Sequence, residues 1–253
     1  MSAPKKTSQE PAHHPEEAAR WFNQWHVYQA IVDANWMAHR EIFNAVRTWV
    51  LLRYPGPFTL LDLGCGDGGF MKRTFDDTGL WAYTGVDASP TALGKARDEL
   101  AGARFEVRLI EADMLAALRA TPDPVAAPCD VILASYAVHH LPAPEKREFF
   151  RLAHARLAPR GCLLFADVFR RDDEPRGAYL EAYADMMRRT WLGLPAESLA
   201  SVIAHVTERD YPETGAGLFD LALEAGWSGQ PQELFRDATG FHRLLAFTKR
   251  AGA

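Results

Sequence analysis

Three carboxylates pose the first chemical question in this sequence: Asp62, Asp87 and Asp113 each close a short apolar run, in "TLLDL", "AYTGVD" and "RLIEAD". Between the first two stands "GCGDGG", where Gly64, Gly66, Gly68 and Gly69 bare the backbone so that a ligand can touch it and a following helix can pack close. Gly64, Gly66 and Gly69 satisfy a GxGxxG pattern, which alone also admits a dinucleotide. Asp62 separates the two readings. A carboxylate inside a strand end just before the first glycine opposes phosphates, yet it accepts hydrogen bonds from an ammonium group. Asp87, 21 positions after Gly66, can take both hydroxyls of a ribose, although that alone suits a nicotinamide dinucleotide too. Asp113 can accept from an adenine amino group while Met114 packs on the ring. Together the acids describe a ligand with an amino-acid end, a ribose and an adenine, and no phosphates.

A second group of residues could act on whatever lies beside that ligand. His139 and His140 follow the fourth apolar run, and an imidazole with a free pKa of about 6.5 suits a general base; the alternative is that the pair contacts the ligand or packs. A metal is not expected there, because adjacent residues seldom aim at one ion and no carboxylate cluster accompanies them. Asp167 closes the fifth run on the same rim, either orienting a nucleophile or doing nothing. Tyr28, His39, Arg40, Tyr179, Tyr183, Met186, Met187 and Trp191 are the candidates for contact with a second substrate, against the plainer reading that such residues fill a core.

These residues need a scaffold of alternating elements. Strands are expected at Phe58 to Leu63, Trp81 to Val86, Arg104 to Ile110, Asp130 to Ser135 and Cys162 to Val168, with helix signals between them. Ser89 and Pro90 read as an N-cap and a first-turn proline. Pro144 opens a helix with a Phe149, Leu152, Leu157 stripe, which Pro159-Arg160-Gly161 should end. Repeated strand, helix, strand predicts a doubly wound α/β sandwich, Rossmann-like, with a mostly parallel sheet. Ahead of it, Trp21, Trp25, Tyr28 and Ile31, then Trp36, Ile42, Phe43, Val46 and Val50, recur at helical spacing. After Asp167 the stretch through "SVIAHV" reads as helical cover, and two last strands, Gln232 to Arg236 and Phe241 to Thr248, flank the turn "DATG". The expected divisions are a disordered lead-in over 1–20, an N-terminal helical cover over 21–55, a core over 56–170, a helical lid over 171–225 and completing strands over 226–253.

Composition excludes several classes. A chain of 253 residues with 48% hydrophobic and 24% charged residues can build one large core. A formal charge of −5 with scattered Lys and Arg lacks the footprint of a nucleic-acid binder. Three distant cysteines give no disulfide framework or CxxC site and point to a reducing compartment, so a cytoplasmic location is expected. No apolar run approaches the roughly 20 residues of a membrane span, and no membrane partner is expected. The partner expected is a small-molecule acceptor, with the protein a monomer or homodimer. An oxidoreductase of the short-chain type needs a tyrosine with lysine four positions on, and none of the seven tyrosines has one.

"LLDLGCGDGGF", "GVDAS", "EADM", "DVILASYAVHHL" and "LAPRGCLLFAD" resemble, in order and spacing, the motifs of class I S-adenosyl-L-methionine (SAM)-dependent methyltransferases. The resemblance implies a seven-stranded sheet ending in an antiparallel hairpin, SAM as cofactor and S-adenosyl-L-homocysteine as product. It implies that Asp62 and Gly64 face the methionine part, Asp87 the ribose, and Asp113 and Met114 the adenine, with Cys65, Gly66 and Ala88 also among the cofactor-binding residues. Ser135 and Tyr136 would line the path from cofactor to acceptor. The C-terminal part is also similar to the carboxy-SAM synthase branch, in which SAM serves another transfer; there an aromatic residue on the N-terminal helix reaches the methionine end, and His39 holds that place instead of the usual tyrosine. A SAM-binding protein that no longer methylates stays open beside the enzyme.

Overall fold

The computed structural model describes residues 25–120 and 128–250. The expected lead-in over 1–20, with Trp21, lies outside the described residues. Helices α1 (Trp25–Asp33) and α2 (His39–Arg53) come first, joined through Asn35 and Ala38 at φ of 57° and 54°. Then β1 (Phe58–Leu63), α3 (Met71–Phe75), β2 (Leu80–Asp87), α4 (Pro90–Glu99), β3 (Glu106–Glu111) and α5 (Met114–Arg119) alternate as expected. They are followed by β4 (Cys129–Ser135), a single 3₁₀ turn at Val138–His140, α6 (Ala143–Arg156) and β5 (Leu157–Arg170). The tail holds α7 (Arg176–Thr190), α8 (Ala196–Arg209), β6 (Glu213–Thr214), α9 (Gly215–Glu224) and the hairpin β7 (Gln232–Arg236) and β8 (His242–Thr248).

Local chemistry accounts for the ends of these elements. The hydroxyl of Ser89 accepts from Ala92 N, and Pro90 fills the first turn of α4, where no amide hydrogen is needed. Asp113 caps α5 and Thr214 caps α9 in the same manner. One expectation fails: α6 stops at Arg156, and Pro159-Arg160-Gly161 lies within β5, with Arg160 at φ 70°. A glycine is required at 161, because a side chain there would meet Asp130 O at 2.8 Å.

The strands run in the order β3-β2-β1-β4-β5-β8-β7, with the two-residue β6 beside β5. β1 to β5 pair in parallel, and β8 is antiparallel to both β5 and β7. β1 pairs with β2 on one side and β4 on the other, so the winding reverses at the carboxyl ends of β1 and β4, the place where such sheets open a crevice.

Strand alternation divides the core in two. Leu61, Leu63, Ile132, Leu163 and Phe165 face α5, α6 and α9, whereas Phe58, Leu60, Val131, Leu133 and Leu164 face α2, α3 and α4. Both faces are covered, as a parallel sheet demands. α2 therefore belongs to the sheet sandwich. The cover is a third apolar cluster in which Val27 and Ile31 of α1 meet Tyr179, Tyr183 and Met187 of α7 and Val202 and Val206 of α8. It rests on the sheet through Val168, and Trp36 stacks on Trp191 at 5.2 Å between centroids. Among the described residues no helix is long and apolar enough to cross a membrane.

Candidate active site

A cavity of about 220 Å³ opens at the carboxyl ends of β1, β2 and β4, between the glycine turn and the cover. Its first wall is the turn itself. Gly64 N and Cys65 N both donate to Val86 O, at 2.8 and 3.0 Å, which draws the turn against β2. Gly64 takes φ 77°, and a Cβ there would lie 2.5 Å from Ala137 Cβ, so only glycine lets the β1 and β4 ends approach this closely.

Asp62 and Asp87 stand side by side on that wall, 2% and 7% exposed. Tyr83 donates its hydroxyl to Asp62 Oδ2 at 2.9 Å. Burial raises the Asp62 carboxyl to about 7 against that hydrogen bond, and the neighbouring Asp87 adds to the rise. Asp87 accepts Gly66 N on Oδ2 and Ser89 N on Oδ1, both at 2.8 Å. Burial raises its pKa as well, opposed by those amides. A carboxylate offers about four lone-pair sites, so two amides leave Asp87 capacity for two further donors. Ala88, Asp113 and Met114 continue the wall; one oxygen of Asp113 also caps α5, accepting Ala116 N at 2.9 Å.

His39 and Tyr136 close the cavity from the α2 side. The His39 ring stacks on Phe70 at 5.6 Å and its Nδ1 is buried without a hydrogen-bond partner. Burial, with His242 and Arg73 nearby, pushes its pKa down to about 3, so the ring is neutral. Tyr136 sits at φ 53°, its N–H on Ala166 O at 2.8 Å and its hydroxyl on Met37 O. That bend lifts the chain off β4 and starts the 3₁₀ turn bearing the two histidines.

Opposite the glycines, His139 is buried against Asp167, with Nδ1 2.5 Å from Oδ1 and the backbone N–H on Oδ2 at 3.0 Å. Burial alone would lower its pKa, but the carboxylates of Asp167 and Asp210 outweigh that and raise it to about 9. His140 is shifted the other way, by burial and by the charge of His139, so its ring stays neutral. Asp167 is thus the orienting partner of a histidine. Asp210 was not foreseen: it ends α8, 3% exposed, with Oδ1 3.4 Å from His140 Nδ1 and 3.7 Å from His139 Nε2. It corrects the expectation that no carboxylate accompanies the pair. No local signal marks it in "ERDYPET"; only the packing of α8 over the 3₁₀ turn brings it there.

The structure sorts the remaining candidates. Ser135, Tyr28, Tyr183 and Trp191 line the cavity with Cys65 and Gly66. Arg40 does not: it is exposed and donates from Nη2 to Asp33 O at 2.5 Å, tying down the end of α1. Tyr179 and Met187, each 0% exposed, and Met186 are packed inside the cover cluster, as their apolar bulk requires. Ile31 and Met37, and Val202, His205 and Val206 of α8, also reach the cavity without having been singled out. No lysine or arginine lines it among the described residues, whereas five aspartates do: Asp62, Asp67, Asp87, Asp113 and Asp210. Such a wall suits a cationic ligand and opposes a pyrophosphate.

Comparison with known proteins agrees with that geometry. A methyltransferase-domain family model matches residues 61–163, from β1 into β5. An uncharacterised methyltransferase of Geobacillus kaustophilus (strain HTA426) is 30% identical over 209 residues, covering 82% of this chain and 87% of that one. The fold is shared with magnesium protoporphyrin IX methyltransferase of Synechocystis PCC 6803, solved with bound S-adenosyl-L-homocysteine, at a TM-score of 0.64 and 15% identity over 93% of this chain and 99% of that one. It is shared too with an O-methyltransferase family protein of Burkholderia thailandensis, at a TM-score of 0.59 and 18% identity over 95% and 62% of the two chains. Likeness to the Geobacillus protein over so much of both chains, on a sheet wound in this order, makes the protein a member of the class I SAM-dependent methyltransferase family.

Proposed function

We propose that the protein transfers a methyl group from SAM to a small-molecule acceptor held beneath α1, α7 and α8. One observation carries the reading: buried Asp62 and Asp87 lie on one wall of a single cavity that buried His39 helps to close, and an imidazole kept neutral, His140, lies opposite them. The residues suit the cofactor. Asp62 can accept from its ammonium group, His39 Nδ1 is a buried atom lacking a partner, and Asp87 retains capacity for two ribose hydroxyls. Asp113 and Met114 would hold the adenine. SAM brings a methyl on a cationic sulfur that departs as a neutral thioether.

The chain therefore has no developing anion to stabilise on the leaving group, and its main tasks are alignment and exclusion of water. The glycine turn fixes one reactant. Ile31, Trp191, Val202 and Val206 enclose the space for the other, which favours an acceptor with apolar surface. An acceptor that must lose a proton would hand it to His140, because His139 is held as a cation by Asp167 and Asp210. The Mg-protoporphyrin and O-methyltransferase neighbours support a small acceptor, and three free cysteines support a cytoplasmic location.

Mass spectrometry of ligand retained through purification, followed by incubation with methyl-labelled SAM and a panel of hydroxyl-, amine- and carboxyl-bearing acceptors, tests the reading. Label in an acceptor is the expected result. Retained carboxy-SAM, or SAM bound with no label passed to any acceptor, would overturn methyl transfer in favour of another use of the cofactor.

A further inference from the structure

We propose that His139, His140 and Asp210 form a site for one divalent transition-metal ion on the acceptor side of the cavity. The assignment goes beyond methyl transfer, which needs no metal. The three residues come from the 3₁₀ turn after β4 and the end of α8, and their ligand atoms lie within 4.8 Å of one another.

Three features point to an ion. The first is Asp210 Oδ1, buried and without a hydrogen bond although two imidazole nitrogens stand 3.4 and 3.7 Å away. A buried carboxylate oxygen with no donor is costly. Two ligands each 2.0–2.1 Å from a tetrahedral zinc lie about 3.4 Å apart, so these gaps match the edges of such a polyhedron. The second is the orientation of His139. Its Nδ1 is engaged by Asp167 at 2.5 Å, which leaves Nε2 directed at Asp210, the arrangement by which an outer carboxylate fixes a metal-binding imidazole. The third is charge: Asp167 and Asp210, 2% and 3% exposed, are two buried carboxylates around two imidazoles, and one divalent cation, displacing the single proton that His139 otherwise carries, balances both.

Two imidazoles and one carboxylate suit zinc, cobalt or iron over magnesium or calcium. With only three protein ligands, a fourth position faces the cavity, where a water or an acceptor heteroatom could bind. His205 flanks the group, its ring centroid 5.6 Å from that of His140. With an ion in place, proton loss from a bound hydroxyl would be driven by the ion rather than by His140.

The test uses tag-free full-length protein, stripped with chelator and titrated with Co(II) and with Zn(II). Metal is read by elemental analysis and by the visible absorption of low-coordinate cobalt. One ion per chain is expected, and His140→Ala or Asp210→Asn should weaken binding by more than about tenfold. Asp167→Asn, which keeps all three ligands, should weaken it by about 10–100-fold as an outer-shell change does. SAM affinity and the melting temperature report whether each variant is folded; should Asp210→Asn fail to fold, the partly exposed His140→Ala carries the test. Failure of the wild type to bind either metal overturns the assignment. So does affinity unchanged by His140→Ala, which would locate the ion elsewhere.

Discussion

His139 and Asp167, 28 residues apart in the chain, meet through both a ring nitrogen at 2.5 Å and a backbone N–H at 3.0 Å. One carboxylate therefore fixes the imidazole and the peptide that carries it, so the 3₁₀ turn is tied to the end of β5. Asp167→Ala removes both acceptors from buried donors. A loss of about 3 kcal/mol in folding free energy is expected, measured by denaturant unfolding, with methyl transfer falling further than SAM affinity. A variant as stable as the parent would mean that the turn is held by other contacts.

Asp87 does two things at once, since it accepts Gly66 N and Ser89 N and still faces the cavity. Asp87→Ala should weaken SAM binding by about 10–100-fold, the worth of one or two charge-assisted hydrogen bonds, and lower the melting temperature as two amides lose their acceptor. Asp87→Asn keeps one acceptor oxygen and should fall between. Calorimetric titration with SAM decides it, and unaltered affinity in the alanine variant would remove the ribose assignment.

Gly64→Ala places a methyl 2.5 Å from Ala137 Cβ at a φ of 77°. Strain and overlap both act, so stability should drop by about 1–3 kcal/mol, and the β1 and β4 ends should part enough to weaken SAM binding. Gly94→Ala is the control: nothing lies within 4 Å of a Cβ there, and it sits within a helix, where alanine is favoured.

How much of this could be read from residues alone follows from how local the cause is. The strand ends bearing Asp62 and Asp87 and the Ser89-Pro90 helix start depend on neighbours within a few positions, and all stand where their patterns put them. Orientation on a helix is also local, yet what each face meets is not. Tyr179, Met187 and Tyr183 share α7, but only Tyr183 reaches the cavity, because the other two face the cover's own core. Asp210 is the extreme case, as its role exists only once α8 crosses the 3₁₀ turn, and Tyr211 N on His139 O at 2.7 Å holds that crossing. Lys146 shows the same dependence on tertiary packing: lysines are mostly exposed, yet this one on α6 is 1% exposed and donates to Tyr211 O and to Glu213 at 3.3 Å.

Asp62 gives the sharpest dependence on pH. Its carboxyl is raised from 3.8 to about 7, so at pH values between those two the native apoprotein holds a proton that the unfolded chain has released. Stability of the apoprotein should therefore decline as pH rises through that window. The cofactor reverses the preference: an ammonium group beside Asp62 stabilises the anion, so binding SAM below about pH 7 must expel the proton, and affinity should improve with rising pH by up to about tenfold per unit. The gain should level off above about pH 7, where Asp62 is already ionised in the apoprotein. Titrations at about pH 6 in two buffers of different ionisation enthalpy should show nearly one proton released per SAM, and Asp62→Asn should abolish both the release and the slope. Affinity that stays level from about pH 5.5 to 7.5 in the wild type would mean that Asp62 does not meet the ammonium group.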